Sequence, residues 1–116
     1  MAHFPQFNGK NRALRVRVPS NESINFNLGG RQVPAVLQKL SMTGGLAEFK
    51  IPIGETALAE VSLSTASGPI NALVEVMTAQ QKGSHCRPFR FIALDDNDYQ
   101  RLAATLQTMR KQGLAE

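Results

Sequence analysis

The chain has 116 residues, 42% of them hydrophobic and 19% charged, with a single cysteine and a formal net charge of +4. That length leaves room for one domain, which buries roughly 60 to 70% of its unfolded surface and needs no disulfide or metal staples. No run of about 18 apolar residues occurs, which excludes a membrane-spanning helix from the expected architecture.

The start of the chain, Met1-Ala2-His3-Phe4-Pro5, has neither the charged region nor the apolar stretch of a secretory signal. Lone Cys86 builds no disulfide framework, so a reducing cytoplasm is the expected location and a free structural thiol the expected role. The charge is unevenly placed. Residues 1–50 hold seven bases and two acids, a local +5, whereas residues 51–116 hold six bases and seven acids, a local −1. Four of the bases (Lys10, Arg12, Arg15 and Arg17) fall together with no acid among them. This asymmetry points to an anionic partner near the N-terminus.

Residues 1–11 carry Pro, Gly and Asn without period and read as a flexible basic arm, followed by a domain over residues 12–112. From Ala13 the pattern alternates, with Leu14, Val16 and Val18 opposite Arg15 and Arg17, which predicts a half-buried strand ending at Pro19. Ser23 to Leu28 alternates again, and Gly29-Gly30 supplies the positive φ values of a tight hairpin. Gln32 to Leu40 is the next strand, where Pro34 marks an edge or a bulge. Leu46–Ile51, Leu58–Leu63, Ile70–Met77 and Phe89–Leu94 follow as short β runs. Turns are expected at Gly44-Gly45, at Ile53 to Glu55, at Ser67-Gly68-Pro69 and from Gln80 to His85. About seven short strands at this spacing favour an antiparallel barrel or sandwich over a βαβ sheet.

At Asp95 the character changes. Asp95 or Asp96 can cap a helix, and Asp98 falls in its first turn, where the macrodipole favours negative charge. Tyr99, Leu102, Ala103, Leu106 and Met109 recur at helical spacing, and Gly113 fits just past the stop. The stripe is expected to pack on the sheet.

Enzyme signatures are missing, so no catalytic residue is expected. His3 and His85 have no metal-ligand spacing, and the Asp95, Asp96, Asp98 cluster lacks the Gly and Glu positions of a calcium loop, so no metal is expected either. Neither glycine pair is followed by the Lys-Ser or Lys-Thr of a P-loop. Two candidate features remain. Arginine suits phosphate and guanine because its planar fork donates bidentately, which singles out the arm. The segment from Gln38 to Gly45 offers a serine hydroxyl and a glycine corner with backbone N–H groups open to an anion. The plain alternative is that Arg15 and Arg17 are the wet face of an edge strand and the glycines a turn.

Three parts of the chain together resemble the PilZ domain, the cyclic di-GMP receptor module of bacteria. They are Lys10-Asn11-Arg12-Ala13-Leu14-Arg15-Val16, Leu40-Ser41-Met42-Thr43-Gly44-Gly45-Leu46, and Pro88-Phe89-Arg90-Phe91-Ile92-Ala93-Leu94-Asp95 with its following amphipathic helix. The resemblance runs from about Lys10 to Leu106. It implies a mostly β fold, a six-stranded antiparallel β-barrel with a C-terminal α-helix. It also implies cyclic di-GMP as ligand, often an intercalated dimer, with no other cofactor, and a binding set of Arg12, Arg15, Lys39, Ser41 and Gly44. The family pattern has two arginines four residues apart. With Arg15 in the second place, Asn11 stands in the first; Lys39 stands where the family has Asp or Asn. An ammonium has no acceptor lone pair for guanine N–H groups. At about 1.5 to 3 kcal/mol per charge-assisted bond, these losses weaken a micromolar site to roughly millimolar or worse.

The leading expectation is therefore a PilZ-like regulatory module with weakened nucleotide binding. The alternative is a ligand-independent adaptor acting through a protein partner. A nucleic-acid-binding barrel is disfavoured, since the chain has no Trp, one Tyr and few aromatics to stack bases.

Overall fold

The computed structural model describes residues 2–3, 15–51, 53, 57–65, 67–79 and 85–113, with side chains from Ser23 onward. Arg12 and most of the expected arm (residues 1–11, of which only 2–3 are included) lie outside the described residues.

Among the described residues, seven strands and one helix follow in chain order: β1 (Ala2–His3), β2 (Arg15–Leu28), β3 (Arg31–Ser41), β4 (Gly44–Phe49), β5 (Ala57–Thr65), β6 (Gly68–Val76), β7 (Cys86–Asp95) and α1 (Asp96–Lys111). Strands β2 to β7 close into a six-stranded antiparallel barrel in the order β7-β4-β3-β2-β5-β6, with β6 returning to β7. Two-residue β1 adds to β7, Ala2 opposite Asp95 and His3 opposite Leu94. Closure leaves no long unpaired edge.

The two strands expected over residues 13–18 and 23–28 are one. Pro19 has no N–H to give the ladder, and the register with β3 shifts between Arg17 and Glu22 instead of ending there. The β2–β3 hairpin turns at Gly29 and Gly30, whose φ values of 61° and 88° are open to glycine at little cost. Gly30 N–H donates to Asn27 Oδ1 at 2.8 Å. Pro34 pairs with Asn25 of β2, while the β3–β4 pairing begins only at Ala35.

Inside, Ile24, Phe26, Val33, Leu37, Phe49, Val74 and Phe89 form one core cluster with the buried residues of the other strands. Phe26 sits against Phe49 (centroids 4.8 Å apart) and edge-on to Phe89 (5.6 Å). Leu102 and Leu106 of α1 belong to the same cluster, each stabilising by roughly 1.5–3 kcal/mol on burial. Asp95 holds the N-cap backbone position without a side-chain cap bond. Asp98 is the surprise in the first turn. It is buried, and its Oδ1 accepts from Asn71 N of β6 at 2.9 Å. Arg101 Nη1 reaches Pro69 O at 3.1 Å, so one turn of helix clamps the start of β6. Gly113 (φ 80°) closes the helix, donating to Arg110 O at 3.0 Å.

Candidate functional site

Strand alternation in β3 predicts nothing unusual until Gln38. Val33, Ala35 and Leu37 face the core, and a strict period of two would turn Lys39 and Ser41 inward as well. The β3–β4 register shifts between Leu37 and Lys39, and the β2–β3 register also breaks opposite this point. That bulge changes the phase: Leu40 and Ser41 are both buried, whereas Lys39 is half-buried.

Register then joins residues far apart in sequence. Arg15 pairs with Ser41, and Arg17 with Lys39, across β2 and β3. Leu40 pairs with Gly45, and Gly44 with Arg90 across β4 and β7. Arg90 continues the row to Glu75 on β6. One backbone row thus runs through Arg15, Ser41, Gly44, Arg90 and Glu75, with the Arg17–Lys39 pair alongside it. Of the five residues expected to bind ligand, Arg15, Lys39, Ser41 and Gly44 come together here.

The turn itself differs from expectation. Gly44 and Gly45 are not the corner but the first residues of β4; Met42 and Thr43 make the turn. A Cβ on Gly44 would lie 2.0 Å from Phe89 O, and one on Gly45 2.4 Å from Lys39 O. Both glycines are required by close strand approach, and their backbone is committed to sheet pairing, not left open for an anion. Ser41 is 7% exposed. Its Oγ accepts from Thr43 N (3.2 Å), donates to Gly44 O (3.2 Å) and lies 3.1 Å from Thr43 Oγ1. Phe91 N donates to Thr43 O at 2.8 Å, fastening the turn to β7. The serine hydroxyl therefore shapes the corner between β3 and β4.

Arg90 was absent from the expected set. Its side chain is 56% exposed, and its Nε donates to Glu75 Oε1 at 2.6 Å. Its position between inward Phe89 and Phe91 was the available signal, since alternation alone turns it outward. Arg87, in contrast, is buried: Nε donates to Met77 O at 2.5 Å and Nη1 to Ile53 O at 3.2 Å. Desolvation lowers its pKa from the ordinary arginine value, yet the guanidinium stays protonated. These two bonds tie loop carbonyls together.

An open groove of about 500 Å³ lies on the wall of β2, β5 and β6 beside the first turn of α1. Amides of Asn25, Asn27 and Asn71 and carboxylates of Glu60 and Asp95 line it. Among the described residues no group of three His, Cys, Asp or Glu could hold a metal ion, and no buried side-chain N or O lacks a hydrogen-bond partner. No helix among them is long and apolar enough to cross a membrane. No protein-family model and no curated protein matches the chain.

Proposed function

We propose that the chain is a PilZ-like regulatory domain of bacterial signalling, a non-enzymatic cytoplasmic receptor that takes cyclic di-GMP on the wall of β2, β3, β4 and β7. The observation that carries this reading is the register pairing of Arg15 with Ser41, beside that of Gly44 with Arg90. It brings the arginine segment and the serine–glycine segment, separated by some two dozen residues of sequence, onto one row. Cationic residues on such a row suit the paired phosphates of a cyclic dinucleotide, and arginine also suits the O6 and N7 acceptors of guanine. Arg12 would add to this set from the arm. Lys39 supplies charge where an acceptor is wanted, so affinity is low, in the high-micromolar to millimolar range by about 1.4 kcal/mol per tenfold.

Isothermal titration of cyclic di-GMP into wild type and Arg15→Ala tests the reading. Heat in the wild type that is lost in the variant supports it. Absence of heat at ~1 mM protein with excess nucleotide, a range that reaches millimolar sites, removes nucleotide sensing.

The Asn11 and Lys39 departures favour a second reading, an adaptor that docks on a protein partner without ligand. It requires a stable complex that ignores both added nucleotide and Arg15→Ala.

A further inference from the structure

We propose that Arg90 is a phosphate-binding residue of this wall, held ready by Glu75 across the strand pair. Two observations carry it. First, Gly44 pairs directly with Arg90, and the approach is so close that a Cβ on Gly44 would lie 2.8 Å from Arg90 Cα. The backbone beside the Ser41 corner is thus kept bare of side chain next to the arginine.

Second, the guanidinium is only partly used. Nε donates to Glu75 Oε1 at 2.6 Å, and no hydrogen bond involving the two terminal nitrogens of Arg90 is found among the described residues. Those nitrogens are the fork that meets two oxygens of a phosphate. An exposed pair of this kind contributes at most about 1 kcal/mol, so a phosphate can draw the arginine from Glu75 at small cost.

In its nucleotide form this inference rests on the function proposed above.

The test titrates cyclic di-GMP and, separately, inorganic pyrophosphate into the full chain as wild type, Arg90→Ala, Arg90→Lys and Glu75→Gln. The Nε–H resonance of Arg90 is followed by NMR in parallel. Arg90→Ala should weaken both probes about 10- to 100-fold, the worth of one lost charge-assisted contact. Arg90→Lys should restore only part of this, because an ammonium has no fork. Glu75→Gln should tighten binding about two- to fivefold by removing the competing carboxylate. The Arg90 resonance should move with either probe. Pyrophosphate binding that depends on Arg90, without cyclic di-GMP binding, keeps the phosphate site and removes the nucleotide. Cyclic di-GMP binding unchanged in Arg90→Ala overturns the role of Arg90 and leaves the nucleotide reading standing. A wild type silent to both probes overturns both.

Discussion

Two walls of the same barrel carry opposite chemistry. The β2–β3–β4–β7 wall places Arg15, Arg17, Lys39 and Arg90 at neighbouring register positions. The β2–β5–β6 wall bears the groove of Asn25, Asn27, Asn71, Glu60 and Asp95, with no base among the lining residues. A phosphate ligand in the groove would meet carboxylates and, among the described lining residues, no counter-charge. The basic wall is the better anion surface. The net charge of +4 conceals this division, because it averages two surfaces that would attract different partners.

The walls also differ in how tightly their backbone is specified, and the largest expected effect follows from that. Gly44→Ala drives a methyl into Phe89 O, a backbone atom that cannot swing away. We expect a stability loss of about 3 kcal/mol or more, read as a fall in denaturation midpoint; overpacking usually costs about 1 to 3, and backbone obstruction belongs at the top of that range. Loss below about 0.5 kcal/mol would mean that the strands separate readily at the corner.

On the groove wall the sensitive position is Asp98. In Asp98→Ala the Asn71 N–H loses its acceptor beneath the helix, which should cost about 1 to 3 kcal/mol in urea denaturation. If Asp98→Ala instead proves neutral, water replaces the carboxylate and the helix clamp is weaker than its geometry suggests.

The remaining contrasts concern ligand affinity. Arg15→Ala should weaken cyclic di-GMP binding by about 1.5 to 3 kcal/mol, measured by titration, whereas Glu60→Gln in the groove should change neither binding nor stability by more than about 0.5 kcal/mol. Equal effects at the two positions would erase the distinction between the walls.

Much of this fold is legible in the sequence. Alternation located the strands, Gly29-Gly30 the hairpin, and the Tyr99 to Met109 stripe the helix. What escaped was non-local. The bulge at Gln38 leaves no local signature, yet it shifts the alternation so that Leu40, and not Lys39, is buried. A glycine pair required by neighbouring strands reads the same as one required by a turn, so Gly44 and Gly45 were expected at a corner they only adjoin. Asp98 looked like a first-turn acid because its partner, Asn71, is 27 residues earlier. Arg15, Ser41 and Gly44 were legible as candidates from their motifs, but Arg90 needed the register of β4 on β7 to join them.

The central claim is that the basic wall, not the groove, receives a phosphate ligand. Titration of cyclic di-GMP at low and high salt, with wild type, Arg15→Ala and Glu60→Gln side by side, tests it most directly. We expect binding that weakens with salt, is lost in Arg15→Ala and persists in Glu60→Gln. Binding that survives Arg15→Ala but fails in Glu60→Gln would contradict the claim and move the site to the groove.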